Sequence, residues 1–291
     1  MKEITIVSGK GGAGKTSITA ALASLAGNAV FCDNDVDAAD LHLIFQPEIL
    51  ETHPFSSGSV AEIDPEKCTQ CGLCESSCRF DAIHTNKVLF PEVNPFLCEG
   101  CRLCERICPA EAITTHQKFN NHWFVSNTRF GKIVHAKMGP GEENSGHLVT
   151  HIREHAKSIA REIKAELLLN DGPPGIGCAA IASVTGTDAV LLVIEPTVSG
   201  LHDASRLKEL VSSFRIPMFA VINKHDINLE MTSIVEDFLK ENCIQLLGKI
   251  PFDKKMVESM VHSQTMMEYA PDSVCGEEFQ NIWKELRKSI A

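Results

Sequence analysis

The stretch Gly9 to Thr16, GKGGAGKT, fits G-x-x-x-x-G-K-[ST] and narrows the possible folds more than anything else in the chain. It follows an apolar run, KEITIVS, and leads into SITAALASLA, which reads as a helix. Strand, glycine loop and helix in that order make a phosphate-binding loop, because loop N–H groups and a helix N-terminus point at the same anion. The expected phosphate contacts are therefore Gly9, Lys10, Gly11, Gly12, Ala13, Gly14, Lys15, Thr16 and Ser17. In such a loop Lys15 reaches the outer phosphates and Thr16 binds Mg2+, with ATP or ADP as the ligand.

The rest of the chain alternates in the same sense. TDAVLLVIEP, PMFAVIN and IQLLGKIPF read as buried strands, while GLHDASRLKELVSSF and LEMTSIVEDFLKEN read as the helices between them. Such alternation predicts an α/β protein with a doubly wound, mostly parallel sheet and helices on both faces. Residues 118 to 137 read instead as two short strands that return the chain to this sheet.

Eight of the twelve cysteines fall between Cys68 and Cys108 and form an internal repeat. CTQCGLCESSCRFDAI from Cys68 and CEGCRLCERICPAEAI from Cys98 match at every cysteine and at the closing Ala-Ile, an offset of 30 (68 to 98). The spacing C-x2-C-x2-C-x3-C resembles the bacterial two-cluster ferredoxins, in which the fourth cysteine of each run ligates the other run's cluster. The resemblance implies an α+β ferredoxin-like domain with two [4Fe-4S] clusters. Cys68, Cys71, Cys74 and Cys108 would hold the first, and Cys98, Cys101, Cys104 and Cys78 the second. Paired structural zinc sites also use C-x2-C, but the third regularly spaced cysteine in each run suits a cube better. The first run ends in Cys78-Arg79 where the pattern has Cys-Pro, which puts a positive charge beside a cluster.

Lys10 gives the glycine loop the form K-G-G-x-G-K-[ST], which resembles the MinD/Mrp superfamily of P-loop ATPases, the nitrogenase iron protein among them. The resemblance implies a sandwich dimer, with itself or with a similar ATPase, in which Lys10 reaches the partner's nucleotide. It also implies that Lys10, Lys15 and Asp37 are catalytic, Asp37 orienting the attacking water. Asp33 and Asp171, with Thr16, would hold Mg2+, and Asn223 at the end of MFAVIN would contact adenine. On local grounds Asp33 or Asp37 could instead be a helix cap, and Asp171 a turn former before Pro173-Pro174. Together the two resemblances divide the chain into a first ATPase part at 1-58, an inserted ferredoxin-like domain at 59-117 and a second ATPase part at 118-291.

A formal charge of −11 argues against nucleic-acid binding through phosphate contacts, since no basic block is present. Twelve cysteines without a secretory leader point to the reducing cytoplasm. Phe279, Ile282, Trp283, Leu286 and Ile290 line one face of the last helix, which reads as docked on its own core and not on a membrane. Cys178, seven residues after Asp171, resembles in spacing the switch II cysteine of the nitrogenase iron protein. It lacks a second cysteine to pair with and reads as a buried free thiol. The loop 138 to 149 reads as a helix cap around Ser145 and Gly146. The expected function is an ATP-hydrolysing iron-sulfur protein that couples nucleotide state to electron transfer with a redox protein partner. A cluster carrier, or a MinD-like positioning switch with a structural ferredoxin module, is the alternative. Some relatives carry a cobyrinic acid a,c-diamide synthase-like label, but that activity needs a glutamine-hydrolysing domain for which no segment is evident.

Overall fold

A computed structural model describes residues 1–56, 58–87, 89–139 and 145–290. In chain order the elements are β1 (Lys2–Ser8), α1 (Lys15–Leu25), β2 (Ala29–Asp33), α2 (Leu41–Phe45), β3 (Glu48–Phe55), β4 (Gly58–Ile63) and α3 (Leu73–Ser77). Next come β5 (Ile83–Thr85), β6 (Pro91–Val93), α4 (Leu103–Ile107), β7 (Ile113–Lys118), β8 (Asn121–Thr128), β9 (Gly131–Lys137) and α5 (Ser145–Glu162). The chain continues through β10 (Leu167–Pro174), α6 (Cys178–Val184), β11 (Ala189–Ile194), α7 (Val198–Ser213), β12 (Met218–Asn223) and α8 (Leu229–Glu241). It ends with β13 (Gln245–Ile250), α9 (Lys255–Val261), α10 (Met266–Tyr269) and α11 (Val274–Ile290).

Two compact units result, the second built chiefly from Pro54–His122, somewhat wider than the cysteine repeat itself. The first holds a nine-stranded sheet in the order β13-β12-β11-β1-β10-β2-β9-β8-β3. From β13 to β9 every neighbouring pair is parallel. Its central strands are continuous apolar runs because helices cover both faces and each side chain needs an apolar neighbour. Along β11, Leu191 and Val193 join one core cluster while Val190, Leu192 and Ile194 join the other. On α11, Phe279, Ile282 and Leu286 are fully buried in the first cluster, with Trp283 and Ile290 packed against it. Burial of those three side chains contributes about 1.5–3 kcal/mol each, which explains why this amphipathic helix lies on its own core. No described helix is long and apolar enough to cross a membrane.

One polar network is sealed inside this unit. Glu3 on β1 accepts from Arg153 Nε of α5 at 3.0 Å and from Asn170 Nδ2 of β10 at 2.8 Å, and Lys157 Nζ lies 3.2 Å from its other oxygen. At the sheet edge, the His53 ring stacks on Trp123 with centroids 4.2 Å apart.

In the second unit β4 pairs antiparallel with β7, and β5 with β6. The sequence repeat reappears as hydrogen bonds 30 residues apart (75 to 105, 85 to 115): Thr85 donates to Glu75, and Thr115 to Glu105. The loop 138 to 149, read from sequence as a cap, falls for its central residues 140 to 144 outside the described residues; Ser145 begins α5.

Candidate functional site

β1 delivers the chain to the C-terminal edge of the parallel sheet, where open α/β sheets bind ligands. Gly12 and Gly14 then take the left-handed conformation, φ 82° and 89°. A Cβ on Gly14 would lie 2.2 Å from Asn223 Nδ2, so no other residue fits there without rearrangement. Lys15 opens α1, and a cavity of about 490 Å³ lies over the loop. Its lining includes Gly11, Gly12, Ala13, Gly14, Lys15, Thr16 and Ser17, with Asp35, Asn223 and Lys224 at the sides. Phe252, Met256, Val257 and Met260 supply an apolar wall.

The floor is a charge network. Lys15 Nζ lies 3.0 Å from Asp171 Oδ2 and 3.5 Å from Asp35 Oδ2. Thr16 Oγ1 donates to Asp171 Oδ2 at 2.8 Å. Burial pulls the Lys15 ammonium down, but Asp171, Asp35 and Asp33 together outweigh it and hold the pKa above its ordinary value. Burial pushes the Asp35 carboxyl up to about 6, against the pull of Lys15. Asp33 is fully enclosed, and burial with the nearby Asp171 charge raises it well above the carboxylate range.

The sequence-predicted residues separate into groups here. Lys15, Thr16 and Asp171 converge. Asp33 does not line the cavity; its oxygens accept the backbone N–H of Asp35 and of Leu41, each at 3.2 Å, so it pins the turn after β2 in the manner of a cap. Asp37 is exposed and likewise absent from the cavity lining, while Asp35, which the sequence reading passed over, faces Lys15. The turn at Val36-Asp37 causes the change by directing the Asp37 side chain outward.

Lys10 is also outside the lining. Its Nζ lies 3.7 Å from Glu195 Oε2 and donates to Ser199 Oγ at 3.3 Å. Lys224 takes the other oxygen of Glu195 at 3.1 Å. Gly9 is held close to α7, where an added Cβ would fall 2.2 Å from Asp203 Cβ. Asn223 Nδ2 donates to Ala13 O at 2.8 Å, tying β12 to the loop while one amide hydrogen stays available to the cavity. Cys178 is exposed at the start of α6, not buried, because its short helix begins at the surface after Gly177.

In the second unit, one hollow is lined by Cys68, Cys71, Cys74 and Cys108 and another by Cys78, Cys98, Cys101 and Cys104. All eight thiols are free. Ala61, Ile63, Ile83 and Ile113 form the apolar packing around them. Backbone N–H groups of Gln70, Ala82 and Ala112 point at the sulfurs of Cys68, Cys78 and Cys108 at 3.4, 3.4 and 3.3 Å. Burial raises the pKa of Cys74 and Cys104 as free thiols. No three or more His, Cys, Asp or Glu side chains among the described residues are placed to hold a single metal ion.

A family model described as the CobQ/CobB/MinD/ParA nucleotide binding domain matches residues 4–266. An uncharacterized protein of Methanocaldococcus jannaschii is 33% identical over 99% of this chain and 97% of its own length. Among solved structures, the cell division ATPase MinD of Pyrococcus furiosus superposes with a TM-score of 0.61 at 19% identity, covering 99% of both chains. The septum site-determining protein MinD of Pyrococcus horikoshii, solved in complex with Mg-ADP, gives 0.61 at 18% identity, over 99% of this chain and 96% of that one. At those identities the structures speak to the fold.

Proposed function

The chain belongs to the CobQ/CobB/MinD/ParA nucleotide-binding family, and from that premise we propose that it is a MinD/ParA-like ATPase, a switch set by ATP or ADP with Mg2+. The observation that carries this reading is the buried Lys15–Asp171–Thr16 cluster under a glycine cradle large enough for a nucleotide. Loop N–H groups and Lys15 bind the phosphates, and the apolar wall with Asn223 takes the base. Thr16 and Asp171 would hold Mg2+, which would supply charge neutralisation at the phosphate oxygens. Asp35 faces the same ammonium, which supports it over the exposed Asp37 as the residue that orients the water attacking the γ-phosphorus. Lys10 leaves Glu195 to reach the nucleotide of a second protomer, so hydrolysis requires a homodimer or a pair with a similar ATPase. In tests, Lys10→Ala should bind ATP as the parent does and lose hydrolysis. A parent chain that binds no nucleotide overturns the reading.

A second reading concerns the cysteines. We infer that the cysteines hold two [4Fe-4S] clusters; four thiols around each of two hollows, in an apolar shell with N–H groups aimed at sulfur, support that reading. Each such cluster would supply one-electron chemistry, and the pair would serve a redox protein partner, gated by the nucleotide. Anaerobic reconstitution with iron and sulfide tests it: EPR signals of two reducible clusters are expected, and stoichiometric zinc with no iron uptake refutes it.

A further inference from the structure

Thr19 lies one turn beyond Lys15 on α1, fully buried, and its Oγ1 donates to Asp171 Oδ1 at 2.7 Å. The other carboxylate oxygen, Oδ2, faces Thr16 Oγ1 at 2.8 Å and Lys15 Nζ at 3.0 Å. The Thr19 hydroxyl also sits 3.0 Å from the Lys15 carbonyl. A hydroxyl has one hydrogen, and the ionised, nearer acceptor takes it.

Asp171 is thus held by two kinds of partner. Those on Oδ2 are the groups that phosphate and metal would claim. The partner on Oδ1 is absent from the cavity lining, so a bound nucleotide leaves it in place. The terminal torsion of a carboxylate is soft and pivots widely unless an oxygen is pinned.

We propose that Thr19 is a positioning residue: it holds the Asp171 carboxylate aimed at the metal once Lys15 and Thr16 have turned to the nucleotide. The inference rests on the nucleotide and Mg2+ reading above. Without the pin, the Asp171 carboxylate turns away from the metal position, and Mg2+ would lose one of the groups that hold it. Second-sphere partners of this kind are worth about 10–100-fold in metal affinity.

A purely structural hydroxyl, present only to satisfy a buried carboxylate, would affect stability and nothing else. Equilibrium binding of a fluorescent ADP analogue by the full chain, with and without Mg2+, separates the two. In Thr19→Val, which keeps the shape, the tightening produced by Mg2+ should shrink by about tenfold, while Mg2+-free affinity stays near the parent value. Thr19→Ser should restore the Mg2+ effect. An undiminished Mg2+ effect in Thr19→Val overturns the proposal even if its melting temperature falls. If the valine variant does not fold, Thr19→Cys, similar in size and a weak donor, is judged by the same criterion. A parent chain that binds the analogue without any Mg2+ effect removes the metal reading itself and this inference with it, a distinct result.

Discussion

Lys15 and Asp171 form a buried ion pair, Nζ to Oδ2 3.0 Å, that joins the first turn of α1 to the neighbouring strand β10. The pair neutralises in advance the cation that a phosphate would otherwise meet bare. Nucleotide entry is therefore an exchange of partners, and the strength of the internal pair sets how readily it occurs.

Deleting the cation tests the pair directly. Lys15→Met should leave Asp171 and Asp35 facing one another without compensation, at a cost of about 3–5 kcal/mol. In a chain of this size that is a fall of roughly 10 °C in melting temperature, read by calorimetry of the ligand-free protein. An unchanged melting point would mean that the carboxylates find another partner.

Asp35 predicts a pH dependence of the opposite sense to an ordinary ion pair. Its carboxyl is pushed up to about 6, so between about pH 4 and 6 the unfolded chain gives up a proton that the folded one keeps. Its contribution to stability falls as pH rises through that window and stays low above it. Asp35→Asn should therefore stabilise the ligand-free protein at pH 7.5, by about 1 kcal/mol after allowing for solvent screening, and leave it unchanged near pH 4. Urea denaturation at the two pH values is the check.

His135 acts on the acid side. Burial and the neighbouring His42 push its imidazole down to about 4, and its Nε2 shares a hydrogen bond with Ser126 Oγ at 3.0 Å. Below about pH 6.5 the unfolded chain takes up a proton that the folded imidazole refuses, so stability drops as pH falls toward 4. Between pH 7 and 5 this group accounts for about 2 kcal/mol. In His135→Gln that much of the acid loss should disappear; equal losses in parent and variant would assign it to other groups.

The two hollows make a prediction about chain order. Cys108 belongs to the second cysteine run but lines the hollow of the first, and Cys78 does the reverse. If iron and sulfide reconstitution builds a cluster in each hollow, Cys108→Ala should perturb the same EPR signal as Cys68→Ala, and Cys78→Ala the same signal as Cys98→Ala. Signals that group by run, 108 with 98, would contradict the crossed arrangement.

Much of this is legible in the sequence where covalent spacing itself carries the information. Gly9 to Thr16 reads as a loop before a helix, because glycine takes the left-handed φ of Gly12 and Gly14 without steric cost, and the cysteine repeat marks its own symmetry. Apolar runs such as TDAVLLVIEP reveal the buried strands for the same reason: both faces are covered. The acids after β2 are less readable. In Asp33-Asn34-Asp35-Val36-Asp37 every second residue is a carboxylate, and only the path of the turn selects Asp35 over Asp37 to face Lys15. Nor does KEITIVS announce that Glu3 will be sealed against Arg153, a partner from the far side of the chain. The strand Glu48–Phe55 escapes notice because it lies at the sheet edge, with Ile49 and Leu50 both exposed and no alternation to read. Asn223 shows the same limit: its position at a strand end is evident, its bond to Ala13 is not.

The stacking of His53 on Trp123 marks where the chain departs from the large sheet and where it rejoins it. Exit and re-entry sit side by side on the edge strand β3 and its neighbour β8, so the sheet's hydrogen bonding is indifferent to the length of what is spliced between them. Length can therefore be added or removed between His53 and Trp123 without breaking a strand pair of the large sheet, and the chain keeps its cysteine-bearing stretch separable from the phosphate-binding loop on the central strands.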